Sequence, residues 1–168
     1  MIQVKAAKLK ELPVIMNIYE YARNFMCANG NPTQWINGYP SEELIRREIE
    51  EGHSFVCTNE SGEILGTFCF IVGDDSTYRY IYDGAWLNEE PYGVVHRMAT
   101  NGKQKGIADV CLNWCLERCD NIRIDTHRDN KVMQHILEKY GFRRCGIIYV
   151  KNGTERIAYQ KIPALNSY

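Results

Sequence analysis

The stretch that decides the fold is Val94-Val95-His96-Arg97-Met98-Ala99-Thr100-Asn101-Gly102-Lys103-Gln104-Lys105-Gly106-Ile107-Ala108. An apolar strand runs into a short polar loop with two glycines, and the loop opens into a helix expected over residues 103–118. Consecutive backbone N–H groups in such a loop, with the free N–H groups of a helix's first turn, make a ready anion site. Gly106 has no side chain to keep a phosphate off the backbone, Ala108 is small, and Lys103 and Lys105 add positive charge. A pyrophosphate suits this chemistry, although an ordinary strand–turn–helix junction can carry the same short glycine spacing.

Upstream of this stretch, residues 2–6 alternate as a first strand, and Lys10 to Cys27 carries the apolar spacing of an amphipathic helix. Asn29-Gly30-Asn31-Pro32 stops that helix, since Gly and Asn tolerate the left-handed turn and Pro cannot continue it. Ser41 is placed to N-cap a second helix running to about Glu51, with Glu42 and Glu43 complementing the dipole of its first turn. Ser54–Thr58 and Glu63–Val72 form a hairpin around Asn59-Glu60-Ser61-Gly62, Tyr78–Tyr82 is a further strand, and Tyr92–Thr100 follows. Downstream, Asn121–Thr126 is a strand, Asn130–Tyr140 a helix, and Phe142–Val150 and Arg156–Lys161 are strands flanking Lys151-Asn152-Gly153. A meander followed by strand–helix–strand–helix–strand is an α/β (α+β) arrangement, a mixed sheet with at least one parallel crossover.

The chain has 168 residues, enough for one compact domain over 1–168 without disulfide or metal staples. Its net charge of -1 lacks the basic footprint of a nucleic-acid binder; the pairs Arg46-Arg47 and Arg143-Arg144 read as solvated surface. No apolar run reaches the length needed to span a bilayer, and the opening residues alternate as a strand rather than as a secretory leader. Seven cysteines, an odd number scattered in apolar segments, point to reduced thiols and a cytoplasmic protein. Cys111, Cys115 and Cys119 form one helical stripe that reads as core packing, so no metal site is expected.

A second informative segment is Ile124-Asp125-Thr126-His127-Arg128-Asp129-Asn130, continuing through Met133, Ile136 and Leu137 to Gly141 and Phe142. Together the two segments resemble motifs A and B of the GNAT superfamily of N-acetyltransferases. Lys103, Gly106 and Ala108 stand at the positions of its Gln/Arg-x-x-Gly-x-Gly/Ala pattern, and Asn130 leads a helix that exits through Gly-Phe. The order of elements also matches the family over nearly the whole chain.

That resemblance implies a largely antiparallel sheet flanked by about four helices, with a splayed central strand pair that admits the pantetheine arm of acetyl-CoA. Met98 and Thr100 would offer backbone groups to pantetheine. Lys103, Gln104, Lys105, Gly106, Ile107 and Ala108 would surround the pyrophosphate, and Asn130 would lie near the thioester end. The loop is about two residues shorter than the common form. Leu137 also occupies the place of the family's usual acid, a tyrosine, and Tyr140 lies three residues beyond it. A domain that binds acyl-CoA as a sensor without turnover is the alternative to a working enzyme.

Direct acetyl transfer to a primary amine of a small molecule or peptide needs a proton acceptor and a donor for the thioester oxygen. The family's usual donor is an N–H of the splayed strand, which assigns Met98. His96 is the best single base: strand alternation puts it on the face of Val94 and Met98, and imidazole titrates near neutrality. It could equally be a hydrogen-bonded core histidine. Tyr149, on the strand after Gly-Phe, is the candidate acid. Asn31, Gln34 and Trp35, with Tyr39, and then Tyr82, Asp83 and Trp86 are candidate substrate contacts, since loops rich in such residues commonly wall small ligands. The sequence leaves the acceptor amine and the oligomeric state open, a homodimer included.

Overall fold

The structure, a computed structural model, describes residues 1–164. Among the described residues, seven strands and four α-helices fall into two compact units, residues 1–71 with 95–115 and residues 72–94 with 116–164. Strand hydrogen bonding runs β1-β2-β3-β4 through the first unit and β4-β5-β7-β6 through the second, a mixed and mostly antiparallel pattern.

In the first unit, β1 (Gln3–Ala6) pairs antiparallel with β2 (Ser54–Thr58), and β2 with β3 (Ile64–Val72). The period of two along β2 divides the core. Val56 joins a cluster with Leu12, Ile15, Ile18, Tyr19 and Ala22 of α1 (Leu12–Ala28) and Ile45 and Ile49 of α2 (Glu42–Glu50). Its neighbour Phe55 instead stacks on Phe68 at 5.5 Å and meets Trp114 of α3 (Ile107–Arg118) at 4.7 Å. The α2 cap forms as expected, with Ser41 Oγ accepting from the Leu44 N–H at 3.1 Å.

Helix α3 starts at Ile107, four residues later than expected, because Gly106 takes a left-handed φ of 84° that a right-handed helix cannot include. Gly66 makes that start possible: a Cβ there would lie 2.6 Å from Ile107 Cγ2. The cysteine stripe packs inward, with Cys111 and Cys115 fully buried and Cys111 Sγ 3.3 Å from Cys57 Sγ. Among the described residues no group of three or more His, Cys, Asp or Glu is placed to hold a metal ion.

In the second unit, the first residues of β4 (Gly93–Thr100) pair in parallel with β5 (Ile122–Thr126), as Gly93↔Ile122 and Val94↔Arg123. β7 (Glu155–Lys161) lies antiparallel to both β5 and β6 (Arg143–Tyr149). Helix α4 (Lys131–Lys139) is capped by Asn130, whose side-chain oxygen accepts from the Met133 N–H at 3.0 Å. Tyr78, Tyr92, Val94, Ile148 and Ala158 form the core of this unit.

The expected strand at Tyr78–Tyr82 is absent among the described residues. Ser76–Tyr78 is a 3₁₀ turn capped by Asp75, and only Tyr82 bridges to Ile147 of β6. The alternating tyrosines mimic strand periodicity, but Tyr78 turns inward, fully buried, to donate its hydroxyl to Asp125 at 2.7 Å.

Candidate active site

The residues 101–106 form the loop that the glycines foreshadow, exposed from Gly102 to Gly106. Gly102 and Gly106 both take left-handed conformations, with φ of 74° and 84°, that side-chain-bearing residues adopt at a cost. A Cβ on Gly106 would meet only Asp109 Oδ2, at 3.9 Å, so the space in front of this backbone is open. The first helical bond of α3 joins the Val110 N–H to the Gly106 carbonyl at 3.1 Å. The N–H groups of Ile107 and Ala108 precede it, in the first turn, where a helix supplies no acceptor of its own. Backbone of this form can cradle an oxyanion, although Asp109 brings a carboxylate to the same turn.

Lys103 also has partners of its own. Its backbone N–H donates to Asn101 Oδ1 at 3.1 Å, and its ammonium pairs with Glu63 at 2.5 Å, holding that carboxyl below the usual carboxylate range. Lys103 thus ties the loop to the start of β3, and Lys105, next to Gly106 in the chain, is exposed. Asn101 adds two anchors, donating through its backbone and its side chain to the carbonyls of Leu65 and Ile64.

Upstream, β4 is not a regular strand. Arg97 has a φ of 52°, in the left-handed region, where a non-glycine residue costs about 1–3 kcal/mol. This breaks the alternation on which His96 and Met98 were expected to share a face; His96, Arg97 and Met98 are all half-buried instead. The kink is held from three sides. Tyr19 of α1, only 1% exposed, donates its hydroxyl to the Arg97 carbonyl at 2.9 Å. The Arg97 guanidinium pairs with Glu48 of α2 and donates to the Tyr39 hydroxyl at 3.0 Å. Burial pushes the Tyr19 phenol well above its usual range, so it stays a donor at every ordinary pH.

The loop between α1 and α2 brings its aromatic residues to the same place. Trp35 contacts Tyr19 and Tyr39 edge-on, with ring centroids 5.7 and 6.5 Å apart. Asn31 is buried and donates to Gln34 at 2.9 Å, so this expected substrate pair braces its own loop. Sequence reading missed Glu48, Arg97 and Tyr19. The signal was there for Glu48, which falls between Ile45 and Ile49 on the buried face of α2.

The remaining candidates lie in the second unit. Tyr82 and Tyr149, each about half exposed, meet edge-to-face at 5.4 Å. Asp83 beside them is exposed, with φ 56°. Leu137 is fully buried, and Tyr140 sits at the α4 C-terminus, where its carbonyl accepts from Lys161 Nζ at 2.7 Å. Near the other end of α4, Arg128, Lys131, Arg144 and Arg156 line one shallow basic pocket with Glu155. Burial, with the charge of Arg156, lowers the pKa of His127 below the usual imidazole value, and its Nδ1 accepts from the Asp129 N–H at 3.0 Å.

The mixed sheet, with its kinked strand feeding a glycine-bracketed loop and a helix N-terminus, places the chain among acetyltransferase folds. The chain belongs to the GNAT acetyltransferase family, whose family model matches residues 19–142. It is similar to a GNAT-family acetyltransferase from Streptococcus agalactiae 2603, with 32% identity, 98% of this chain and 96% of that one covered, and a TM-score of 0.88. A GNAT-family acetyltransferase from Listeria monocytogenes 4b F2365 matches with 19% identity, coverage of 95% and 94%, and a TM-score of 0.72. The NatC complex bound to Gag peptide and CoA shares the fold at 14% identity, coverage of 97% and 99%, and a TM-score of 0.59. Comparison with curated proteins gives no significant match. Among the described residues no helix is long and apolar enough to cross a membrane.

Proposed function

We propose that residues 1–168 act as one acetyl-CoA-dependent N-acetyltransferase domain, moving an acetyl group to a primary amine of a small molecule or peptide within a ternary complex. The observation that carries this reading is the open backbone in front of Gly106 at the head of α3. The CoA-bound structural relative is in keeping with it. Acetyl-CoA supplies an activated thioester whose leaving group is a thiolate.

The chain's residues take the following parts. The amides from Gly106 to Ala108 and the Lys105 ammonium hold the pyrophosphate. Met98 and Thr100 offer backbone groups to the pantetheine arm, and the Met98 N–H donates to the thioester oxygen. His96 accepts the amine's proton, and Trp35, Tyr39, Tyr82 and Asp83 contact the acceptor. With Leu137 buried in place of the family's acid, Tyr149 is the hydroxyl we assign to the leaving thiolate, a modest role because a thiol of pKa near 8.5 leaves readily. Titrating acetyl-CoA calorimetrically and following thiol release across a panel of amines tests the reading. Binding with amine-dependent thiol release is the expected result. Binding without it, whichever amine is offered, favours the second reading, an acyl-CoA sensor, for which buried Leu137 is the supporting observation.

A further inference from the structure

We propose that Glu48 is a positioning residue for acyl transfer, holding Arg97 so that the β4 kink keeps the Met98 N–H aimed at the thioester oxygen; this rests on the function proposed above. A left-handed arginine inside a strand persists only where its surroundings over-determine it. Here α1, α2 and β4 converge on that single residue: Tyr19 holds its carbonyl, Glu48 its guanidinium, and Tyr39 takes a further N–H.

The pair is also badly designed for stability alone. Both side chains are nearly dry, at 13% and 7% exposure, and desolvating two charges offsets most of their attraction. Glu48 Oε2 and Arg97 Nε are moreover buried without a hydrogen-bond partner, so neither charge is fully satisfied. A costly contact placed on the one kinked residue of the strand, immediately before Met98, has its use in geometry. The carboxylate fixes the guanidinium, the guanidinium fixes the side of the kink, and the Tyr19 hydroxyl fixes the peptide that follows. Glu48 touches no reacting atom, so its effect must reach the thioester through Arg97.

The test is isotope-edited infrared spectroscopy of bound acetyl-CoA carrying a 13C-labelled acetyl carbonyl, on wild type, Glu48→Gln and Tyr19→Phe. In the wild type the carbonyl band moves to lower frequency than in free acetyl-CoA, because a hydrogen bond polarises it. Glu48→Gln loses most of that shift and at least tenfold in kcat, while its affinity for acetyl-CoA changes less than threefold. Tyr19→Phe removes one hydroxyl and keeps the packing, and it loses part of the shift and about threefold in kcat; Glu48→Asp, which keeps the charge but withdraws it by one methylene, should lose shift and kcat together and decides the matter if Glu48→Gln does not fold. A full shift and full kcat in the folded variants overturn the role of Glu48 while leaving the proposed function standing. A wild type that binds no acetyl-CoA overturns the proposed function, and this proposal with it.

Discussion

The two ends of the candidate chemistry are built differently. Around Arg97, in the first unit, every hold is long-range: Tyr19, Tyr39 and Glu48 reach it from 78, 58 and 49 residues away, and Tyr19 and Glu48 are buried. Around Tyr149, in the second, the candidate groups lie at the surface. Tyr82 and Tyr149 meet edge-to-face, each about half exposed, Asp83 is exposed, and Asn130 caps the helix that begins one residue later. The contrast teaches where this fold keeps precision. A backbone donor has to be held rigidly, so its strain is countered by buried contacts; groups that meet a variable acceptor can stay at the surface.

Breaking one hold in each region sharpens that comparison. Arg97→Ala strands the buried Glu48 carboxylate and is expected to destabilise the protein by about 3–5 kcal/mol, measured by chemical denaturation. Gly106→Val places a branched side chain in the cradle and strains a left-handed residue; CoA affinity should fall by about 100-fold, or about 2.7 kcal/mol, in calorimetry. In the second unit, Asn130→Ala removes a helix cap and should cost about 1 kcal/mol of stability. Arg128→Ala removes an exposed ion pair with Glu155 and should change stability by less than about 0.5 kcal/mol. If Arg128→Ala cost as much as Arg97→Ala, the distinction between buried and surface holds would fail.

The smallest effect is a pH dependence. His127 has a folded pKa below the ordinary imidazole value, mainly through burial. As pH falls through about 6.5, the unfolded chain takes up the proton more readily than the folded one, so stability declines on the acid side and is fully present above it. Replacing His127 by Gln should flatten that part of the stability profile; an unchanged profile would assign the acid sensitivity to other groups.

Much of this fold is legible in the sequence because periodicity reports burial directly. The faces of α1 and α2, the β2–β3 hairpin and the parallel crossover from β4 to β5 all follow from it. The glycine loop was legible because left-handed backbone needs a residue without a side chain. The Arg97 kink was not: arginine gives no sign of a left-handed φ, and the residues that impose it lie far away in the chain. The ion pair of Lys103 was hidden for a related reason, since its partner Glu63 lies 40 residues away. The tyrosines at 78, 80 and 82 repeat with strand spacing, yet Tyr78 is held by Asp125, a pairing across 47 residues.

The central claim is that the amides opening α3 bind a diphosphate. Titrating CoA into 15N-labelled protein and following the backbone amide resonances tests it most directly. The account predicts that Gly106, Ile107 and Ala108 move the furthest and saturate together. If those three amides stay in place while CoA binds, or if no amide moves at millimolar CoA, the claim is contradicted.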